Sequence, residues 1–227
     1  MSLTRLDGKR VLLTQADQFM GPALIEVLST QGATVIADTR SLLDPELPAE
    51  LVRSAGHVDV LIAHLGSPRQ QLLVTEGTEE DWRTMFAELV DPLPRLARAV
   101  LPQMIERASG KILVMGSASA LRGMKRASSY SAARGAQLAW AQAVGVEMAP
   151  QQIQVNAIAQ NLVDNPTYFP PEVQANPKFK ERIKWEMPLG RLVSAKEDAH
   201  FAAYLCSDAA DCFVGQIFPL CGGWVPR

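Results

Sequence analysis

Short, uninterrupted apolar runs alternate along this chain with longer stretches whose apolar residues recur at helical spacing. Val11 to Leu13 precedes Pro22 to Gln31, Thr34 to Ala37 precedes Pro45 to Ser54, and Val58 to Ala63 precedes Asp81 to Arg107. Further on, Ile112 to Met115 precedes Tyr130 to Met148, Ile153 to Ala159 precedes Pro177 to Trp185, and Lys196 to Ser207 precedes Gln216 to Leu220. Strands buried on both faces read as continuous apolar runs, and repeated strand-helix alternation winds right-handed into a parallel sheet with helices on both sides. The pattern predicts one doubly wound α/β domain over residues 1–227, with ligands bound beyond the carboxyl ends of the strands. Between Asp38 and His57 there is little room for a normal third strand.

Composition narrows the function classes. With 227 residues, 48% hydrophobic content and a net charge of -2, the chain can bury a sizeable core and lacks the basic excess of a nucleic-acid binder. The segment Met1 to Arg10 is polar and the apolar run after it is short, so neither a signal peptide nor a membrane span is expected, and cytoplasmic residence is the default. Cys206, Cys212 and Cys221 are odd in number, without CxxC spacing or nearby histidines, and are expected as buried or semi-buried thiols. The Pro-rich stretch Asn161 to Pro177 is too long for an ordinary connection. Its Tyr168 and Phe169, stiffened between Pro166 and Pro170, suit a cover over a pocket.

Candidate chemistry lies in Ser117, Tyr130 and Arg134. Ser117 follows a buried-strand run, while Tyr130 and Arg134, four residues apart, share one helix face. Two hydroxyls and a permanent cation around one small volume suit chemistry on a substrate oxygen. Ser117 does not read as a nucleophile, because Ser-Ala-Ser is no nucleophile elbow and no histidine follows in a triad arrangement. Taken singly, Ser117 reads equally as a turn cap, Tyr130 as a helix anchor and Arg134 as a surface partner of Glu147 or Asp164.

The element order, the Ser117 to Tyr130 spacing and the Tyr-x-x-x-basic pair resemble the short-chain dehydrogenase/reductase superfamily over nearly the whole chain. In that superfamily Thr-Gly-x-x-x-Gly-x-Gly follows the first strand, so that bare backbone meets a dinucleotide pyrophosphate. Here the segment is Thr14-Gln15-Ala16-Asp17-Gln18-Phe19-Met20-Gly21, with Gln15 and Phe19 on two glycine positions. Arg134 stands where hydride-transferring members carry Lys, and a planar guanidinium is not a compact ammonium. Ala63-His64-Leu65-Gly66 replaces Asn-Asn-Ala-Gly, and Leu89 falls where a relay Asn usually sits. Asp38 could hold a ribose diol, but with the phosphate loop filled it reads better as a solvated or capping residue.

A Ser-Tyr-Arg trio on such a frame, with an aromatic in the defunct glycine loop, resembles the halohydrin dehalogenases. The resemblance implies a Rossmann-like fold with a degenerate dinucleotide site, no cofactor, and a homotetramer. It also implies conversion of a vicinal haloalcohol to an epoxide: Tyr130 as base, Arg134 stabilising its phenolate, Ser117 holding the substrate oxygen. Ring opening by halide, azide, cyanide or nitrite is the implied reverse reaction. Residues 160–176 become the halide loop and lid, with the halide pocket falling on Phe19, Gln160, Asn161, Leu162, Val163 and Tyr168. The amides of Leu162 and Val163 are the candidate halide donors, although most members carry Pro at the position of Gln160.

Other readings keep a place. A nicotinamide-dependent oxidoreductase with an unusual loop and a non-catalytic small-molecule binder share the same frame. His64 reads as a satisfied buried histidine rather than a pocket residue, and Trp82, Trp140 and Trp185 as packing residues. Trp224 either closes the core or reaches a partner. The small and apolar residues of the stretches Trp82 to Arg107 and Tyr130 to Met148, Ala97, Ala136 and Ala143 among them, suggest helices paired at a twofold interface.

Overall fold

The computed structural model describes residues 4–68 and 71–225. Strands β1 (Arg10–Leu13), β2 (Thr34–Ala37), β3 (Val60–His64), β4 (Gly110–Ser117), β5 (Ile153–Gln160) and β6 (Ile217–Leu220) form one parallel sheet in the order β2-β1-β3-β4-β5-β6. The central strands β3 and β4 are buried at every position, as continuous apolar runs require. No strand intervenes between β2 and β3 among the described residues, so β2 is the sheet edge and is only partly buried.

Helices cover both faces. One core layer joins α2 (Leu47–Ala55), α3 (Glu79–Leu89), α4 (Pro92–Glu106) and α5 (Ser128–Met148) to the sheet through Leu51, Met85, Leu96 and Leu138. The opposite layer brings α1 (Gly21–Thr30), α7 (Pro177–Glu186) and α8 (Ala195–Cys206) onto it through Leu24, Leu28, Ile183 and Ala203. A short helix, α6 (Pro171–Ala175), lies inside the long Pro-rich segment. The register pairs His64 with Met115 and Ser117 with Gln160, which sets the ends of β3, β4 and β5 side by side at the carboxyl edge.

Several expectations need correction. The helix anticipated over Asp81 to Arg107 is two helices: Thr78 and Asp81 form a capping box for α3, and a second helix starts at Pro92. A helix running through would lose the hydrogen bond to the carbonyl of Glu88 and press the proline ring against it. Cys206 and Cys221 are buried, but Cys212 is exposed. Trp140 packs against the core, and Trp82 stacks on Phe86 with ring centroids 4.7 Å apart, whereas Trp185 is 85% exposed and packs little. No helix among the described residues is long and apolar enough to cross a membrane.

Gly21, the surviving glycine of the first loop, is explained by packing alone. A Cβ at Gly21 would lie 2.2 Å from the backbone oxygen of Ala16, an atom that cannot move without reshaping the turn. Gly21→Ala is therefore expected to destabilise the fold by about 1–3 kcal/mol in urea unfolding. An unchanged midpoint would refute the packing explanation.

A candidate active site at the carboxyl edge of the sheet

A cavity of about 470 Å³ opens where β3, β4 and β5 end. Ser117, Tyr130, Arg134, Phe19, Gln160, Asn161, Leu162, Val163 and Tyr168 all line it, so the residues singled out from sequence meet in one place. Ser117 ends β4, and its hydroxyl accepts from Ser119 N at 3.2 Å and donates to Ser119 Oγ at 3.0 Å. It thus does cap a short turn while lining the cavity. Tyr130 sits in the first turn of α5, half-buried, with the Arg134 guanidinium carbon 5.1 Å from its ring centroid.

Arg134 is not a surface residue. It is 7% exposed and makes no ion pair among the described residues, with Glu147, Asp164 or any other carboxylate. Its Nη1 donates instead to the carbonyls of Leu65 (2.9 Å) and Met115 (3.2 Å) and to Gln137 Oε1 (2.9 Å), while its buried Nε has no partner. Gln137, fully buried, completes the chain by donating to the carbonyl of Leu89 at 2.6 Å. Gln137 escaped sequence reading because a glutamine in an Ala-rich helix looks like a surface residue. Its position three residues after Arg134, on the same helix face, was the available signal.

The first loop keeps a glycine-like course with large side chains on it. Gln15 and Phe19 have φ of 45° and 43°, values that favour glycine. Gln15 Oε1 accepts from Gly66 N at 2.5 Å, and its carbonyl accepts from His64 Nδ1 at 3.1 Å. The Phe19 ring fits only because residue 66 is glycine: a Cβ there would lie 2.1 Å from the ring. It stacks on Tyr168 (5.4 Å between centroids) and meets His64 edge-on (6.2 Å). A pyrophosphate needs bare backbone at these positions, so the residues present do not fit that group. On the adenine side, Asp38 is committed to Arg40, whose N and Nε both donate to its carboxylate, as a capping residue would be.

In the loop after β5, the N-H groups divide into engaged and free. Asn161 N donates to the carbonyl of Leu220 and Asp164 N to that of Val193. Between them, the N-H groups of Leu162 and Val163 have no partner among the described residues, and Leu162 has a φ of 53° that turns the peptide sharply. Asn165, buried, accepts from Tyr168 N and donates to the carbonyl of Val163, while the Tyr168 hydroxyl donates to the carbonyl of Ser67. These bonds hold the aromatic tip of the loop against the cavity mouth.

Three further residues join the site. His64 lines the cavity and is also satisfied by the Gln15 carbonyl, so both readings of it hold. Trp224 closes the cavity from its own chain: it is buried, its carbonyl accepts from Arg122 Nη1 at 2.6 Å, and the Arg122 guanidinium lies 4.6 Å from its ring centroid. Behind the wall, Gln160 Nε2 donates to Asp198 Oδ2 at 2.6 Å.

Burial, aided by the Arg134 charge, depresses His64 to about 4, and burial raises Asp198 to about 7. Between pH 4 and 6.5 the unfolded chain holds a proton on His64 that the folded chain lacks, so this group makes stability rise with pH. Across the same range the folded chain holds a proton on Asp198 that the unfolded chain has lost, so that group makes stability fall with pH. The two slopes oppose one another. Urea unfolding at several pH values from 4 to 6.5 is expected to show a slope displaced downward in His64→Gln and upward in Asp198→Asn, relative to the parent. Identical slopes in all three proteins would refute the assignment.

A family description for enoyl-(acyl carrier protein) reductase matches residues 8–225. The 3-oxoacyl-(acyl-carrier-protein) reductase FabG of Thermotoga maritima is 28% identical, over 97% of this chain and 99% of its own. The solved structure of a dehalogenation enzyme matches at TM-score 0.90 and 31% identity, over 96% of this chain and 99% of its own. Halohydrin dehalogenase (HheC) bound to ethyl (2S)-oxiran-2-ylacetate matches at TM-score 0.89 and 29% identity, over 96% and 98%. With the parallel sheet, the Ser117-Tyr130 pair and a family match across almost its full length, the chain belongs to the short-chain dehydrogenase/reductase family.

Proposed function

We propose that this protein is a cofactor-independent halohydrin dehalogenase, a carbon-halide lyase. The observation that carries the reading is the Phe19 ring, seated in the former glycine loop and inside the same cavity as Ser117, Tyr130 and Arg134. A site that retains hydroxyl-handling residues but has side chains where a pyrophosphate must lie is suited to proton removal without hydride transfer. The likeness to a dehalogenation enzyme and to an epoxide-bound halohydrin dehalogenase supports the same choice.

In this reading Ser117 donates a hydrogen bond to the substrate oxygen, and Tyr130 takes the hydroxyl proton. Arg134 cannot lose its own proton, and with no carboxylate beside it the guanidinium stabilises the Tyr130 phenolate. The alkoxide oxygen forms its bond to the neighbouring carbon as the carbon-halogen bond breaks, and halide leaves with that electron pair. The free N-H groups of Leu162 and Val163 meet the developing charge. Phe19, Asn161 and Tyr168 shape the surrounding wall, and residues 160–176 serve as halide loop and lid. The proton then passes from Tyr130 to solvent. Run backwards, the site opens an epoxide with halide, azide, cyanide or nitrite.

The likeness to FabG favours a second reading, a nicotinamide-dependent reductase. Halide release from 2-bromoethanol and several chloroalcohols decides the matter. The parent protein is expected to release halide without added nucleotide, and Tyr130→Phe to be slower by about 10²–10⁴-fold. Absence of release from every haloalcohol, release indifferent to Tyr130→Phe, or micromolar binding of NADH or NADPH by fluorescence would overturn the proposal.

A further inference from the structure

Behind the anion pocket lies a carboxyl group that the fold does not require. Asp198 is fully buried in the first part of α8, yet the helix is already capped by Ser194 and Glu197, and its buried neighbours Ala199, Ala202 and Ala203 are apolar. Its Oδ2 accepts from Gln160 Nε2, and its buried Oδ1 has no partner among the described residues. Gln160 in turn lines the cavity beside Asn161, Leu162 and Val163.

No charged group on the packed elements neutralises it. The one charged residue of α1, Glu26, is exposed and paired with Lys196. On α8 itself, Glu197 is paired with Arg191, and His200 is exposed. β5 and β6 carry no charged side chain; Lys111 of β4 is paired with Asp211 at the opposite end of the strand from Gln160. In the following 3₁₀ turn Asp208 is paired with Lys9, and in the loop after β5 Asp164 accepts from Gln174. Among the described residues lining the cavity, the ionisable groups are His64, Tyr130, Arg134 and, on α7, Arg182 and Glu186.

We infer that Asp198 is a positioning residue for the anion pocket, acting through Gln160: protonated it leaves the pocket receptive to an anion, and ionised it opposes one. The inference rests on reading the loop after β5 as the halide site. The physical reason is like-charge repulsion in a poorly screened interior, one side chain removed from the anion. Burial brings Asp198 to about 7, so the change falls in the neutral range, whereas His64, depressed to about 4, stays neutral throughout it. Halide departure is thereby favoured on the alkaline side and capture of an anion for ring opening on the acid side.

Bromide binding to the full chain, followed by calorimetry from pH 5.5 to 8.5, tests this. The parent protein is expected to bind bromide about tenfold more weakly at the alkaline end. Asp198→Asn should lose most of that fall, and Tyr130→Phe, which removes any repulsion from a phenolate, should retain the part that Asp198 supplies. Gln160→Leu removes a hydrogen bond that favours the ionised form, so it should move the binding midpoint to higher pH; this variant decides if Asp198→Asn does not fold. A parent whose bromide affinity does not vary with pH, an Asp198→Asn that varies like the parent, or a Gln160→Leu with an unmoved midpoint would overturn the role of Asp198 alone. No bromide or azide binding to the parent at any pH would instead overturn the halide pocket itself, and this inference with it.

Discussion

Arg134 is a permanent cation that the fold must bury, and the geometry of the site follows from how it does so. A desolvated charge is costly unless its hydrogen bonds are met. Nη1 reaches the carbonyl of Leu65 after β3, the carbonyl of Met115 in β4 and the side chain of Gln137 on α5, so three elements are fixed around one nitrogen. Carbonyl and amide dipoles satisfy the hydrogen bonds without cancelling the charge. The charge that remains helps hold His64 neutral, and the Tyr130 ring packs over the guanidinium. A carboxylate beside Arg134 would instead have cancelled that charge, and the proposed role of the guanidinium at Tyr130 depends on its not being cancelled.

Much of this is legible in the order and spacing of residues. The alternation of apolar runs and helical patterns specifies the parallel sheet, and local periodicity puts Tyr130 and Arg134 on one helix face; Ser117 joins them because a strand end faces that helix. What stays hidden depends on burial. Gln137 and Asp198 are polar residues on helices, and periodicity alone does not tell a buried amide or carboxyl from a solvated one. Trp185 shows the same limit from the other side, an aromatic in a helical pattern that faces solvent. The break between α3 and α4 does have a sequence signal in Pro92, outweighed by the continuous apolar pattern around it.

The first loop shows how large side chains can be held on a backbone course that favours glycine. Holding Gln15 and Phe19 at positive φ costs on the order of 1–2 kcal/mol for each residue. The bond from Gly66 N to Gln15 and the contacts of Phe19 with Gly66, Tyr168 and His64 offset that cost. They also tie the loop to the segment after β3 and to the aromatic tip of residues 160–176, so the side chains that fill the phosphate position help build the replacement wall. Gly21 persists through all this because the carbonyl of Ala16 leaves no room for a Cβ.

Strand pairing supplies the remaining constraint, the separation between the two halves of the proposed reaction. Ser117 and Gln160 are register partners on neighbouring strands, which lie about 4.8 Å apart. The Ser117 hydroxyl therefore ends one strand, and the loop whose Leu162 and Val163 N-H groups have no partner among the described residues leaves the next. A vicinal haloalcohol poised for ring closure holds oxygen and halogen on opposite sides of adjacent carbons, a span of the same order as that spacing. Moving either group by one strand would separate them too far for one small molecule to bridge, so the proposed reaction depends on the adjacency of β4 and β5.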